Sequence, residues 1–258
     1  MPASHSTSIA VLGATGNLGR QICAQALERG WALSVGVRNR NRLPPGVAAK
    51  AEVVDVDLAS TPIEPMASWL AGRDVLVFCA GVVTQGEAFV SAFDKAVSAV
   101  ESLPADQRPV CWFLAGAALL PLDSTGRLGV DLPKVRDTYG PHRQNHQRLL
   151  RTDIDWRLLC PGPMVDQPPM GRERLRLSIE GLPAPLPGVA RLLPSALVLP
   201  LFALTIPQMI VPYDDAAAVM LDHVKPGDAC SRRRVGLALP VGMKGRKDQW
   251  AAKARAEG

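Results

Sequence analysis

Ile9-Ala10-Val11-Leu12 runs straight into Gly13-Ala14-Thr15-Gly16-Asn17-Leu18-Gly19, and this junction constrains the fold more than any other stretch of the chain. Four apolar residues without a polar break read as a buried strand of a parallel sheet. Three glycines spaced three apart then read as the first βα turn of a dinucleotide site. In that reading Gly13 permits the tight turn, Gly16 lets a pyrophosphate approach the backbone, and Gly19 lets the helix pack closely on the sheet. The N–H groups around Thr15, Asn17 and Leu18 would face the anion. The spacing is G-x-x-G-x-x-G, wider than the usual G-x-G-x-x-G. Ile22, Ala26 and Leu27 follow at helical spacing and supply the strand–turn–helix context that the motif requires.

Beyond the turn, short apolar runs alternate with helical stretches, the pattern of a parallel sheet. Strands are expected near 9–12, 32–37, 52–56, 74–79, 109–114 and 155–159. Helices are expected near 17–29, 63–71, 87–102 and 139–151, with a long loop over 116–133. The fold class is therefore α/β: a Rossmann-like, doubly wound parallel sheet over residues 1–160. Composition shifts after Cys160. Residues 161–212 hold eleven of the 23 prolines, which predicts a small, loop-rich lobe without long regular helices. That lobe, continuing to 258 within the same globular unit, is expected to cover the ligand edge of the sheet. Asp214 and Asp215 read as the capped start of a helix returning to it.

Leu192–Val211 is a twenty-residue uncharged run, the length of a membrane span. Pro194, Pro200 and Pro207 argue against a straight spanning helix. A pocket lid or subunit interface is the favoured reading, ahead of peripheral membrane contact. Residues 225–258 carry nine Lys/Arg against three Asp/Glu, within a chain of net charge +5. This reads as a solvated, frayed basic terminus. No helix-turn-helix or zinc motif accompanies it, so no nucleic-acid partner is expected. No signal-peptide layout precedes the first strand. The five cysteines form no CxxC pair and read as small buried hydrophobes in a reducing cytoplasm. No ligand cluster has metal-site spacing.

The dinucleotide is expected to be NADP. Strand 2 ends in Arg38, where an NAD site usually places Asp or Glu on the ribose hydroxyls, and Arg40 and Arg42 follow. A guanidinium binds a 2′-phosphate in a fork, whereas a carboxylate repels it. Asp57 and Leu58, after strand 3, are placed to meet the adenine. The turn Ala80-Gly81-Val82, after strand 4, can pass under the ribose and pyrophosphate.

These motifs, together with Val54-Asp55-Val56-Asp57 and Asp155-Trp156-Arg157-Leu158-Leu159-Cys160-Pro161-Gly162, resemble the atypical short-chain dehydrogenases. The branch indicated is that of NmrA-like proteins and biliverdin reductase B, a flavin reductase. His142-Arg143-Gln144-Asn145-His146 and Met164-Val165-Asp166-Gln167-Pro168-Pro169 point to the latter. The similarity covers roughly residues 8–185 and resumes at 214–224. Many members carry Ser near the end of strand 5 and a Tyr-x-x-x-Lys pair on the next helix. Here strand 5 ends Leu114-Ala115-Gly116-Ala117, and counting back from Asp155-Trp156 places Thr138 and His142 at the Tyr and Lys positions. Tyr139-x-x-x-Arg143 lies one residue later, which is ~100° around a helix.

The resemblance implies hydride transfer from NADPH to a planar conjugated acceptor: a flavin, a tetrapyrrole or a quinone-like molecule. His142 and Tyr139 are the candidate catalytic residues, His142 because an ordinary imidazole titrates near neutral pH. Two other readings stay open. One is a non-catalytic NADP-binding sensor of NmrA type. The other is a membrane-surface assembly factor using the dinucleotide structurally.

Overall fold

The computed structural model describes residues 6–246. The opening apolar run forms β1 (Ser8–Leu12), and α1 (Asn17–Glu28) follows directly after the glycine turn. Then come β2 (Ala32–Val37), a single-turn α2 (Pro45–Ala48), β3 (Glu52–Asp55), α3 (Ile63–Leu70), β4 (Val75–Phe78) and α4 (Glu87–Glu101). They are followed by β5 (Val110–Leu114), α5 (Val135–Leu149) and β6 (Trp156–Cys160). The rest of the chain supplies β7 (Met164–Val165), β8 (Arg176–Ile179), α6 (Ser195–Thr205), β9 (Val211–Pro212), α7 (Tyr213–Asp222) and β10 (Arg233–Ala238).

One eight-stranded sheet has the order β3-β2-β1-β4-β5-β6-β10-β8. All of its ladders are parallel except β10 with β8. The chain moves outward from β1 to β3, then returns to place β4 on the other side of β1. Ile9 thus lies opposite Leu33 on one flank and Val75 on the other. That reversal is the topological switch point of a doubly wound fold. Both faces are covered, as parallel sheets require. On one, α3, α4 and α5 bury Met66, Leu70, Phe93, Val97 and Leu149. On the other, α1 and α7 bury Ile22, Cys23, Ala216 and Met220. Cys23, Cys111, Cys160 and Cys230 are buried and Cys79 half-buried, all as free thiols.

The carboxyl-terminal third departs from expectation in several places. The basic region is not simply a solvated terminus: β10 lies inside the sheet, with Val235, Leu237 and Ala238 fully buried. Its short apolar run sits directly behind Arg232-Arg233-Arg234, and that charge masks it in the sequence. Residues 247–258 of the same region lie outside the described residues. In the proline-rich lobe, β8 adds an antiparallel edge strand, and α6 reaches eleven residues despite Pro200 in its interior. α7 begins at Tyr213 without a side-chain cap. Asp215 instead turns inward, where its buried carboxylate accepts the Met170 N–H at 2.8 Å and the Gly171 N–H at 3.1 Å. α5 starts at Val135 and runs through Pro141. The ring removes one helical hydrogen bond there, and burial of His142, Asn145 and Leu149 holds the helix across the gap.

Arg157, fully buried on β6, ties the last part of the chain to the sheet. Its guanidinium donates to Asp228 at 3.1 and 3.2 Å, to Asp155 at 3.1 Å and to the Lys225 carbonyl at 2.6 Å. Removing one member of a buried ion pair leaves the other charge uncompensated, at about 3–5 kcal/mol. Arg157→Leu is therefore expected to lower stability by about 3 kcal/mol in urea unfolding at neutral pH, whereas breaking the exposed, solvent-screened Arg40–Asp55 pair should leave the unfolding midpoint essentially unchanged.

Candidate functional site

Parallel strands bring the residues that follow them to one edge. The turns after β1, β2, β3, β4 and β5 place Gly13, Arg38, Asp57, Ala80 and Ala115 along that edge, in the spatial order of their strands. Gly13 has φ +98°, and a Cβ there would lie 2.6 Å from the carbonyl carbon of Cys79. No side chain fits between the turn and the end of β4. Gly19 is equally constrained, since a Cβ would come within 2.1 Å of the Gly13 carbonyl oxygen. Gly16 differs: a Cβ would meet only the Gly13 carbonyl oxygen, at 3.4 Å, and otherwise open space. The protein's own packing thus requires Gly13 and Gly19 but leaves Gly16 free, as a cradle for an external group would. Gly16 is also the N-cap of α1, with no side-chain cap and no acidic residue in the first turn. The amide groups there are left for an anion.

At the β2 end, Arg40 donates to both oxygens of Asp55, at 2.8 and 3.1 Å. Among the described residues no acid pairs with Arg38, which lies exposed at the end of the strand. Asp57 caps its own turn, accepting the Ala59 N–H at 3.0 Å and the Ser60 hydroxyl at 3.1 Å. The Ala59 bond chiefly holds its carboxyl below the usual range, with Ser60 and the charges of Arg38 and Lys95 adding. Leu58 follows in the same turn, half-buried against the core.

Between the ends of β4 and β5 lies a cavity of about 210 Å³, lined by Phe78, Ala80, Gly81, Phe89, Ala115 and His142, with Val82 among its other wall residues. None of its lining comes from residues 161–212, so the proline-rich lobe does not wall it. His142 is buried and packs edge-on against Phe89, with ring centres 5.5 Å apart. Tyr139 lies parallel to it at 6.1 Å. Both rings converge on Gly116: a Cβ there would be 3.7 Å from His142 Nε2 and 3.8 Å from Tyr139 Cδ1. The structure therefore brings together the two aromatic side chains singled out from the sequence, at the point where a strand-5 hydroxyl would stand. Arg143, one residue on, turns away to pair with Asp131.

The expectation of a near-neutral His142 is corrected. Burial pushes its pKa down to about 4. The ring is uncharged at neutral pH, and its Nδ1 has no hydrogen-bond partner among the described residues. Asn145, one turn further along α5, is buried with neither amide atom bonded. His146 packs edge-on to Trp156 at 5.9 Å and is likewise pushed down to about 4, chiefly by burial. Phe89 is not marked as a site residue by any local motif, because only the fold carries α4 to the cavity.

Two other clusters have their charges satisfied internally. A cleft of about 550 Å³ at the opposite edge of the sheet holds Arg29, Arg73 and Arg108. They pair with Asp222 at 2.9 Å, Glu52 at 2.5 Å and Asp153 at 2.8 Å. His223, Asp228 and Cys230 bring ligand-type atoms within 4.8 Å of one another. There Asp228 already accepts from Arg157 and from the Cys230 N–H, and burial pushes the Cys230 thiol up to about 11. Among the described residues no helix is long and apolar enough to cross a membrane.

The unequal roles of the glycines give a direct test. Gly16→Val is expected to keep the melting curve of the parent while weakening dinucleotide binding at least about tenfold, because the added atoms occupy the cradle alone. Gly19→Ala is expected to cost stability itself, by about 1–3 kcal/mol, since overpacking forces the turn to shift. Calorimetric titration and thermal melts on both variants check the pair.

A Lactobacillus casei protein superposes with a TM-score of 0.68 at 18% identity, over 91% of this chain and 100% of its own. A Streptococcus pneumoniae protein with the provisional name NADH-flavin reductase gives 0.67 at 18% identity, over 91% of this chain and 100% of its own. A wide-type short-chain dehydrogenase/reductase from Veillonella parvula, in complex with NADP, gives 0.63 at 15% identity, over 94% and 100%. At these identities the likeness establishes the fold. No curated protein matches the sequence. The NAD(P)H-binding family model matches residues 13–184, which includes the glycine turn, the β4 turn and the α5 cluster; the chain belongs to the NAD(P)H-binding family.

Proposed function

We propose that the protein is an NADPH-dependent reductase whose acceptor is a small, planar, conjugated molecule such as a flavin, a tetrapyrrole or a quinone. The observation that carries this reading is the cavity at the ends of β4 and β5: apolar walls, an uncharged His142, and glycine where a hydroxyl donor would stand. Such a site offers no preorganised charge to a localised alkoxide. It suits an acceptor that spreads the incoming negative charge over its own π-system.

The chain's residues divide the work along the carboxyl edge. Gly16 and the open first turn of α1 receive the pyrophosphate, Arg38 the 2′-phosphate, and Asp57 and Leu58 the adenine. Ala80, Gly81 and Val82 border the ribose. Bound in this way, a reduced nicotinamide supplies the hydride. Phe89, Ala115 and His142 present a largely apolar wall against which donor and acceptor stack. The acceptor gains the hydride's two electrons and one hydrogen, and the balancing proton comes from solvent. His142 and Tyr139 position the acceptor through ring contact. A neutral imidazole with a pKa near 4 holds no acidic proton at pH 7.

Preference for NADPH rests on Arg38, the exposed arginine directly behind β2, which makes no ion pair among the described residues. Arg38→Asp is expected to weaken NADPH binding by about 2–4 kcal/mol, from loss of the charge pair and added repulsion. Equal calorimetric affinity for NADH and NADPH in the parent protein would overturn the assignment.

Turnover is measured as loss of nicotinamide absorbance with flavin and quinone acceptors. His142→Gln and Tyr139→Phe are each expected to cost less than about tenfold in rate, below the 10²–10⁴ attributed to a general acid. For the same reason the parent rate is expected to show no break near pH 6.5, because His142 stays neutral from well below that pH upward. Tight NADPH binding without turnover on any acceptor would assign the protein to the sensor class instead.

A further inference from the structure

α6 and the chain around it have a composition that the cavity does not explain. Val198, Phe202 and Thr205 face inward, Val198 and Phe202 joining the apolar core. On the opposite side Ala196, Leu197, Pro200, Ala203 and Leu204 are all exposed. Their spacing of one, four, seven and eight positions is that of a single helical stripe. Every member of the stripe is apolar. Leu192, just ahead of the helix, is 76% exposed, Leu204 is 71% and Leu197 55%. No charged residue occurs between Arg191 and Asp214. An exposed apolar stripe of this kind marks an interaction surface.

The surroundings indicate what covers it. After β10 the chain returns to the segment that follows α6. The Leu239 N–H donates to the Gln208 carbonyl at 2.7 Å, and the Gly245 N–H to the Pro207 carbonyl at 2.7 Å. Val241, 83% exposed, and Met243, 40% exposed, lie in this returning turn. From Lys244 to the last residue the sequence carries five Lys/Arg (Lys244, Arg246, Lys247, Lys253, Arg255) against Asp248 and Glu257. Lys244 and Arg246, both exposed, flank Gly245 and so lie beside the carboxyl end of the apolar helix. Apolar side chains bordered by lysine and arginine are complementary to a bilayer with anionic headgroups. The same arrangement disfavours a second copy of this chain, which would bring its own Lys244 and Arg246 to the same place. With eleven residues, α6 is too short to span a bilayer, which takes about 17–25.

We propose that the exposed stripe of α6, with Lys244 and Arg246 beside its carboxyl end, docks the protein on an anionic phospholipid surface. The helix lies in the plane of the interface with Leu192, Leu197 and Leu204 among the acyl chains. The Lys/Arg side chains lie against the headgroups. This inference is independent of the reductase reading and is tested without turnover.

The experiment is co-sedimentation of the full chain with sucrose-loaded vesicles, either pure phosphatidylcholine or phosphatidylcholine with phosphatidylglycerol at about 30%. Binding is expected to be at least about fivefold stronger to the anionic vesicles and to weaken steeply with added salt. Leu197→Ser with Leu204→Ser is expected to reduce it at least about tenfold, since both side chains leave the acyl region. Lys244→Gln with Arg246→Gln should weaken the preference for anionic lipid. Thermal melts and dinucleotide titration of the same variants should match the parent, because Leu197, Leu204, Lys244 and Arg246 are all exposed and none lines the cavity. Two results would overturn the proposal. One is absence of binding to either vesicle at low salt. The other is a stable dimer in light scattering that the leucine variants dissociate, which would assign the stripe to a second copy.

Discussion

The carboxyl edge of the sheet depends on how closely one turn approaches its neighbours. The ladder spacing of β1 and β4 is fixed, with the Cys79 N–H donating to the Leu12 carbonyl at 2.9 Å. The chain leaving β1 must rise between them against the backbone of Cys79 and Ala80, and only a residue without a Cβ at position 13 can do so. The helix must then pack on that turn with a second missing Cβ at position 19. These two contacts aim the open end of α1 across the switch point, where the crevice of a doubly wound sheet lies. The recess at Gly16 is a by-product of that geometry.

Charge is used elsewhere than at the cavity. Arg40 is engaged with Asp55, Arg148 with Asp94 and Glu101, Arg157 with Asp155 and Asp228, and Arg234 with Glu180. Most of these pairs staple loops and late strands to the sheet. What remains near the cavity is a neutral imidazole, a phenol ring and hydrocarbon. A site so poor in charge offers shape and apolar contact rather than electrostatic force, and on the proposed function the reactivity would come from the partners stacked there.

The sequence made the amino-terminal half legible because period and punctuation agree there. The run before Gly13, the alternation from 32 to 37 and the apolar face of α4 each have one structural solution. β10 was obscured because its buried residues follow three arginines, two of which are held by partners that only the fold supplies: Arg234 by Glu180, and Arg232 through its N–H to the Trp156 carbonyl. The meeting of Tyr139 and His142 at Gly116 is legible from helical spacing and the position of strand 5. The protonation state of His142 is not, since it arises from Phe89, 53 positions earlier, and from other walls that no local pattern connects. Asn145 is hidden for the same reason: its burial comes from the packing of α5 in the fold, which no local pattern announces.

The place of β10 has a consequence for the order in which the molecule can be assembled. β8 is complete by residue 179, but among the described residues its sole ladder is to β10, which begins at residue 233. Until that later segment has been made, the apolar edge of β6 stands open, with Leu158 and Leu159 beside unpaired backbone groups. An open, apolar strand edge is a template for pairing with other chains. The intervening residues therefore emerge from synthesis around a half-finished sheet, and closure waits on a contact made across more than fifty positions. A protein built in this way is vulnerable during its making at a site remote from its chemistry, and the rate of its last pairing step sets the length of that exposure.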